Sequence, residues 1–200
     1  MKKILHRVNT INYLKKVPKD LGVEVDIRSF NNKVIISHDP LLNGVEFEEW
    51  ISFYNHDFLI LNVKEEGLEK YLMDILKKHE IKYFFFLDQS FPFLLKTIKS
   101  GEKRCAIRIS EFESIDSAYN LAGMIEWVWI DYFNQFPLNY NDFIGLKKLG
   151  YKICIVSPEI QGKETCEIDI LKNFLVKNKI FPDAVCTKEI DMRKTDMSTL

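Results

Sequence analysis

The segment VEVDIRS at residues 23–29 alternates apolar and charged side chains along its length. Alternation with a period of two is the pattern of a β-strand whose two faces meet different surroundings. Valine and isoleucine side chains occupy one face, and the other carries Glu24, Asp26 and Arg28. We therefore predict a strand that packs against helices with its apolar face and presents charged groups on the opposite face.

Seven further short runs, rich in β-branched and aromatic residues, have the same strand-like composition. They lie at about residues 3–8, 58–64, 82–88, 104–109, 127–132, 151–157 and 184–188. Amphipathic stretches separate these runs, most clearly at residues 68–79, 139–149 and 169–179. A short extended piece at residues 33–37 follows the turn at Asn31-Asn32. Regular alternation of strands and helices predicts βα units and a parallel sheet.

Eight strands within 200 residues predict an α/β fold, a compact single-domain (β/α)₈ TIM barrel. We expect the barrel to span residues 1–191. Residues 192–200 are polar and aperiodic, so they are expected to form a flexible tail. A doubly wound open sheet is the alternative. Its dinucleotide-binding variant is disfavoured, because no GxGxxG motif follows the first strand.

The composition argues against several classes of protein. The 28 Lys and Arg residues nearly balance the 29 Asp and Glu residues, and the net charge of −1 does not favour a nucleic-acid groove. No run is long enough to span a bilayer, and the first residues lack the apolar stretch of a signal peptide. The four cysteines are far apart, without a CxxC pair. Reduced thiols without a secretion signal predict a cytoplasmic protein with no nucleic-acid partner.

Polar residues are concentrated near the ends of the predicted strands, where the active sites of (β/α)₈ barrels are found. These residues are His6, Glu24, Asp26, Arg28, Asn62, Lys64, Asp88, Arg108 and Asp131. Burying so many polar groups without a function is costly. A structural interpretation stays open, because Arg28 or Arg108 can pair with Asp131 or Asp88 in a neutralised buried network. Trp129 fits either a substrate pocket or the core.

These residue types suit one kind of chemistry. Two carboxylates two residues apart on one strand face, Glu24 and Asp26, can hold a hard divalent cation such as Mg²⁺ or Ca²⁺. A histidine on one strand and another on a following loop, His6 and His38, can share two proton transfers, one accepting and one donating. Lys and Arg side chains near the cation neutralise a phosphoryl group in the transition state. The set therefore predicts cleavage of a phosphodiester.

Several of these motifs resemble those of the glycerophosphodiester phosphodiesterase family, within the phosphatidylinositol-phospholipase-C-like barrels. His6-Arg7-Val8 is similar to the family's opening His-Arg-Gly, and Glu24-Val25-Asp26 to its Glu-x-Asp strand. His38-Asp39 is similar to its His-Asp, and Asn62-Val63-Lys64 to its Glu-x-Lys. Ser90-Phe91, ahead of a leucine-containing helix, resembles the family's fourth strand end. The resemblance is strongest over about the first forty residues.

The resemblance implies a metal-assisted phosphodiester hydrolase acting on a small molecule, a glycerophosphodiester or a sugar- or polyol-linked phosphodiester. The implied acid–base pair is His6 and His38. The residues implied to neutralise the phosphate are Arg7 and Lys64. The implied ligands of a weakly bound Mg²⁺ or Ca²⁺ are Glu24, Asp26 and Asn62. The residues expected around the substrate pocket are Arg28, Asp88, Arg108, Trp129 and Asp131.

Two departures from the family pattern affect these expectations. Val8 stands where the family has glycine, so a close backbone approach there is lost or altered. Asn62 stands where the family has a metal-binding carboxylate. Its amide oxygen can bind Mg²⁺ or Ca²⁺, but the lost negative charge weakens binding. Two alternatives stay open: a metal-free phospholipase-C-like phosphodiesterase that uses Arg28, and a catalytically degenerate barrel that only binds a phosphorylated ligand.

Overall fold

The computed structural model of the protein describes residues 1–188, in two compact units. The first unit spans His6–Cys105, and the second joins Met1–Leu5 to the chain from Ala106 onward. The strands, in chain order, are β1 (Lys2–Leu5), β2 (Gly22–Phe30), β3 (Lys33–Ile36), β4 (Val45–Glu46), β5 (Leu59–Val63), β6 (Phe84–Leu87), β7 (Ala106–Ile109), β8 (Trp127–Ile130), β9 (Lys152–Val156) and β10 (Ala184–Thr187). The α-helices are α1 (Ile11–Leu14), α2 (Phe47–Ile51), α3 (Glu69–Lys78), α4 (Phe91–Lys99), α5 (Asp116–Asn120), α6 (Tyr140–Lys148) and α7 (Glu167–Lys177), and a 3₁₀-helix spans Pro158–Gln161.

The first unit is built on a mixed sheet in the order β4-β3-β2-β5-β6. β2, β5 and β6 run parallel, and α3 connects β5 to β6 as a parallel pair requires. β3 returns antiparallel to β2 through Asn31 and Asn32, which both adopt the left-handed conformation that asparagine tolerates. In the register of β2 and β5, Asp26 lies opposite Asn62. Strand pairing thus places two of the predicted ligands side by side.

The second unit is built on the sheet β1-β10-β9-β8-β7, in which every neighbouring pair is parallel. The helices α5, α6 and α7 each lie between successive strands along the chain. The four residues of β8 are all buried, as expected for a parallel strand covered on both faces. α6 begins with a capping box made by Asn139 and Asp142, and Gly150 takes a positive φ just after its end. The helix-capping residues and the burial of the strands therefore indicate the same elements in this unit.

Each of the eight predicted strands is present, as β1, β2 and β5 to β10. β1 ends at Leu5 rather than at residue 8, because Arg7 has a φ of 54°, which does not fit a strand. His6 and Arg7 therefore lie in the turn that follows β1. The two-residue strand β4 is additional, since so short a segment carries no readable period. The predicted tail at residues 192–200 and the boundary at residue 191 lie outside the described residues.

No helix within residues 1–188 is both long enough and apolar enough to cross a membrane.

Candidate active site

Glu24 and Asp26 lie two residues apart on β2, and both side chains are fully buried. Asn62, on the neighbouring strand β5, is 6% exposed. Because adjacent parallel strands in register present facing residues on the same side of the sheet, these three side chains form one polar cluster among apolar neighbours. Buried polar groups are stable only when they are satisfied, so the partners of each oxygen decide what the cluster can do.

Both carboxylate oxygens of Glu24 accept hydrogen bonds. The Arg7 backbone N–H donates to Oε2 at 2.7 Å, and the Asn62 amide Nδ2 donates to Oε1 at 2.9 Å. His6 Nε2 lies 3.8 Å from Oε2. Burial, and then the negative charge of Asp26, raise the pKa of the Glu24 carboxyl to about 7, although the two hydrogen bonds act in the opposite direction. A further positive charge at this place would therefore favour the ionised carboxylate.

Asp26 is held by an asparagine that the sequence analysis did not single out as functional. Asn9 Nδ2 donates to Asp26 Oδ2 at 2.8 Å, and the Asp26 backbone N–H donates to Asn9 Oδ1 at 3.1 Å. Two cationic groups flank the same carboxylate: Arg7 Nε lies 3.6 Å from Oδ2, and Lys64 Nζ lies 3.6 Å from Oδ1. Asp26 is thus fixed on one side by Asn9 and surrounded by positive charge on the other.

Two buried oxygens of the cluster accept no hydrogen bond: Asp26 Oδ1 and Asn62 Oδ1. The Asn62 amide cannot turn to satisfy its own oxygen, because its Nδ2 is already engaged by Glu24. Within residues 1–188 no three His, Cys, Asp or Glu side chains form a group that could hold a metal ion. That is expected where the third oxygen donor is an amide. The cluster therefore has two buried oxygens that a cation or a hydrogen-bond donor would stabilise.

The turn after β1 is fixed from two sides. The Val8 backbone N–H donates to the Glu24 carbonyl at 2.8 Å, and the indole of the buried Trp50 donates to the Val8 carbonyl at 3.1 Å. The Val8 side chain is fully buried in the apolar core. The left-handed conformation in this turn is taken by Arg7, whose φ is 54°. Trp50, like Asn9, is a positioning residue that the sequence analysis missed.

His38 lies in the loop after β3 and is bound at both ring nitrogens. Arg7 Nη2 approaches Nε2 at 2.5 Å, and Nδ1 lies 2.7 Å from Asp39 Oδ1. Arg28 holds this loop, since its Nε donates to the His38 carbonyl at 3.0 Å and its Nη1 to the Lys64 carbonyl at 3.2 Å. These Arg28 N–H groups are thus hydrogen-bonded to backbone oxygens. His38, by contrast, is held by side chains and its imidazole is partly exposed.

A cavity of about 310 Å³ lies at the ends of β5 and β6. Lys64 and Asp88 both line it, and Lys64 Nζ lies 3.3 Å from Asp88 Oδ2. The cavity wall also includes Gln89 and Ser90, whose buried Oε1 and Oγ atoms have no hydrogen-bond partner. A larger cavity of about 520 Å³ opens between α3 and α4, and none of the predicted site residues line it.

Three predicted pocket residues belong to the second unit and contact one another. Asp131 is 1% exposed and accepts hydrogen bonds from Arg108, from the Trp129 indole at 3.1 Å and from Gln161. Trp129 is itself 4% exposed. This is the neutralised network that the sequence left open as a structural interpretation. A second buried carboxylate, Glu159, accepts from Ser157, from Thr187 at 2.6 Å and from the Lys188 N–H at 3.0 Å.

The two remaining histidines lie apart from this chemistry. His56 is buried and its Nε2 lies 3.2 Å from the Val17 carbonyl, and His79 follows the last residue of α3. Asn9 and Trp50 had no individual sequence signal. Asn9 follows the His6-Arg7-Val8 motif directly, and only the folded chain shows that it reaches a carboxylate seventeen positions further along.

Two solved structures share the architecture over nearly the whole chain. A glycerophosphodiester phosphodiesterase from Agrobacterium tumefaciens is 11% identical in sequence, with 100% of each chain covered and a TM-score of 0.64. A glycerophosphoryl diester phosphodiesterase from Parabacteroides distasonis is 12% identical, with 99% of this chain and 86% of that chain covered and a TM-score of 0.69. The chain has the fold of these phosphodiesterases.

This likeness confirms the predicted fold class, an α/β fold of the (β/α)₈-barrel type. At such low identity the phosphodiesterase likeness speaks for the fold alone. No model of a known protein family matches the sequence, and no curated protein matches it. The chemistry therefore has to be argued from the residues of the cluster.

Proposed function

We propose that the first unit hydrolyses phosphodiesters with the help of a weakly bound divalent cation. The observation that carries this proposal is the pair of buried oxygens without donors, Asp26 Oδ1 and Asn62 Oδ1, beside two histidines and two cationic side chains. Buried oxygens that accept no hydrogen bond are rare in folded proteins and call for a bound group. A cation satisfies the oxygens, and a phosphate suits the Arg7 and Lys64 charges. The two structures of the same fold are phosphodiesterases, which agrees with this proposal.

The residues present fit Mg²⁺ or Ca²⁺. Glu24, Asp26 and Asn62 would hold the ion through carboxylate and amide oxygens, the donors that hard cations prefer. Each Glu24 oxygen accepts one hydrogen bond and retains a second electron pair for a ligand bond. When bound, the cation supplies positive charge that stabilises the phosphoryl oxygens as the reaction proceeds. With two charged ligands only, we expect half-saturation in roughly the high micromolar to millimolar range.

The chain's own residues perform the remaining steps. Lys64, which lies between Asp26 and Asp88, and Arg7 bind the phosphate oxygens and carry the developing negative charge. One histidine takes the proton of the attacking hydroxyl, which belongs to the substrate or to water. The other gives a proton to the departing alkoxide. Glu24 orients His6 from 3.8 Å, and Asp39 orients His38 from 2.7 Å.

The substrate we propose is a glycerophosphodiester or another polyol-linked phosphodiester. The cavity next to Lys64 is rich in hydrogen-bond acceptors, among them Glu66 and Asp88. Gln89 Oε1 and Ser90 Oγ, in residues of the same wall, have no partners. A polyol brings several hydroxyl donors and so complements such a wall. We further propose a cytoplasmic location, because all four cysteines are free thiols.

A metal-free phosphodiesterase is the second candidate, and the charges around Asp26 favour it. Lys64 and Arg7 already flank this carboxylate, and the Asn62 amide already donates to Glu24. The chain's own groups thus balance part of the negative charge that a cation would balance. Lys64, rather than Arg28, is then the substituting cation, since Arg28 donates to backbone carbonyls. A protein that binds a phosphorylated ligand without turnover would use the same contacts.

The test is turnover of bis(p-nitrophenyl) phosphate with Mg²⁺, Ca²⁺, Mn²⁺ or EDTA. The cation-assisted reaction predicts turnover that EDTA abolishes and that added cation restores. Turnover indifferent to EDTA would favour the metal-free enzyme. No turnover under any of these conditions, with dimethyl phosphate still bound, would contradict hydrolysis and leave the ligand-binding protein. Lys33→Gln, which removes an exposed cation far along β3 from the loop, is the matched control for purification and folding.

A further inference from the structure

The contacts of His38 carry information about which histidine takes a proton and which gives one. Arg7 Nη2 lies 2.5 Å from His38 Nε2, and Asp39 Oδ1 lies 2.7 Å from His38 Nδ1. A guanidinium has five N–H donors and no acceptor. In its contact with Arg7, Nε2 must therefore be the acceptor, with its electron pair directed at the guanidinium.

That contact determines the state of the whole ring. An imidazole that accepts at Nε2 is neutral and carries its single proton on Nδ1. The proton on Nδ1 then points at the Asp39 carboxylate, which can only accept it. The two neighbours are consistent with each other, since each requires the same tautomer. A protonated ring would bring two positive charges together at Nε2.

We propose that Arg7 and Asp39 together hold His38 in the neutral Nδ1–H tautomer, so that His38 is the proton acceptor and Arg7 covers it until a phosphodiester binds. The inference rests on the proposed function, because it assigns roles within that reaction. The Arg7 side chain is 44% exposed, so a phosphate that arrives from solvent can reach its guanidinium, whose Nε lies 3.6 Å from Asp26 Oδ2. A phosphodiester anion is a stronger partner for a guanidinium than a neutral imidazole is.

The proton transfers balance with the residues present. When the phosphate draws Arg7 away, the uncovered Nε2 takes the proton of the attacking hydroxyl while its oxygen forms a bond to phosphorus. The leaving oxygen takes a proton from His6 as its bond to phosphorus breaks. His38 becomes an imidazolium whose charge Asp39 balances through the unchanged Nδ1–H contact. Arg7 and Asp39 are thus positioning residues for His38, and Arg7 also binds the substrate.

The experiment is long-range ¹H–¹⁵N NMR of the full chain with ¹⁵N-labelled histidine, in which His38 is assigned from the His38→Gln spectrum. We expect a protonated Nδ1 and an unprotonated Nε2 in the free protein at mildly alkaline pH. Dimethyl phosphate, a simple diester with poor leaving groups, should shift the His38 Nε2 signal as Arg7 moves to the phosphate. Arg7→Met should show the shifted Nε2 position without ligand, and Lys33→Gln should match wild type.

The Asp39→Asn variant tests whether Asp39 orients the His38 ring or only supports the loop. It should weaken the preference for the Nδ1–H tautomer and lower kcat about tenfold, with KM little changed. An Nε2–H tautomer in the wild-type protein, or coincident Nε2 signals in wild type and Arg7→Met, would overturn this inference. If turnover of bis(p-nitrophenyl) phosphate is normal in that case, the proposed function stands without it. If the tautomer is as expected but no diester is cleaved, the proposed function fails and the assignment of the resting state survives.

Discussion

The polar clusters at the strand ends of the two units differ in how their buried oxygens are used. In the second unit Asp131 accepts from three side chains, and Glu159 accepts from two hydroxyls and a backbone N–H. In the first unit Glu24 and Asp26 lie on one strand face, and Asp26 Oδ1 accepts no hydrogen bond. Both clusters are buried and rich in carboxylates, yet among the described residues only the first cluster has oxygens that accept no hydrogen bond at all.

The difference separates structure from function. A carboxylate whose two oxygens both accept hydrogen bonds from its own chain stabilises the fold and has less to offer a ligand. A cluster that keeps like charges close together and leaves acceptors unused stores unfavourable energy, which a bound group can relieve. The same residue types near strand ends thus have different roles in the two units, and their hydrogen-bond partners show which role each residue has.

The largest expected effect is on the two histidines of the first unit. His6→Ala and His38→Ala should each lower turnover of bis(p-nitrophenyl) phosphate by roughly 10²–10⁴-fold with little change in thermal unfolding, because each removes a proton-transfer group. His79→Ala, at the end of α3, is the matched control and should keep wild-type turnover. Turnover retained in either active-site variant would show that the cluster works without that imidazole.

Matched carboxamide variants should change activity in one unit and stability in the other. Asp26→Asn keeps the shape, relieves repulsion with Glu24 and should lower turnover roughly 100-fold while the free energy of unfolding changes by less than about 1 kcal/mol. Asp131→Asn places an amide among three donors and should lower the free energy of unfolding by about 2 kcal/mol. Urea unfolding and diester turnover of both variants provide the comparison. An equal loss of stability in Asp26→Asn and Asp131→Asn would contradict this difference between the two clusters.

The next effect concerns Asn62, the residue that separates this chain from the family pattern. If a cation binds at Glu24 and Asp26, Asn62→Glu adds a third charged ligand and should tighten Mg²⁺ or Ca²⁺ binding about tenfold in calorimetric titration. Without a cation the same change buries an unpaired carboxylate, so it should lower the melting temperature. Asn55→Glu adds the same charge at an exposed position and is the control. A less stable variant with no tighter binding would end the metal hypothesis.

The smallest effect tests another satisfied carboxylate of the second unit. Burial raises the pKa of the Glu111 carboxyl, but the N–H groups of Phe133, Gln135 and Asn134 outweigh it and lower the pKa to about 2. Since the folded value is depressed from the ordinary 4.5, this carboxylate stabilises the fold above that pH. The stability difference between wild type and Glu111→Gln should be largest near neutral pH and vanish as pH falls towards 2. A difference independent of pH would argue against these hydrogen bonds.

Periodicity and strand-end residues predicted much of the fold. The alternation in β2 and the apolar runs of the parallel strands identify elements because burial on one or both faces imposes those patterns. The predicted end of β1 at residue 8 was wrong, because nothing in the sequence around Arg7 indicates its left-handed conformation. Strand β4 is too short to produce a period.

The candidate site was predictable in its residue types and only partly in its contacts. Glu24, Asp26 and Lys64 come together because the neighbouring parallel strands β2 and β5 end at the same edge. His6, in the turn ahead of β2, lies 3.8 Å from Glu24. Two sets of contacts join residues that are distant in sequence, and only the folded chain shows them. Asn9 donates to Asp26, and Arg28 donates to backbone carbonyls. For the same reason the sequence could not show that both oxygens of Asp131 accept hydrogen bonds from neighbouring side chains.

The central claim is that the unused oxygens of the first unit receive a divalent cation, and crystals soaked in Mn²⁺ test it most directly. An anomalous difference map should show a peak about 2–2.6 Å from both Asp26 Oδ1 and Asn62 Oδ1, within reach of a Glu24 oxygen. The peak should vanish from crystals of Asp26→Asn soaked in the same solution. A map without a peak at this place, with the two oxygens bound instead by a water or by a turned Lys64 ammonium, would contradict the claim.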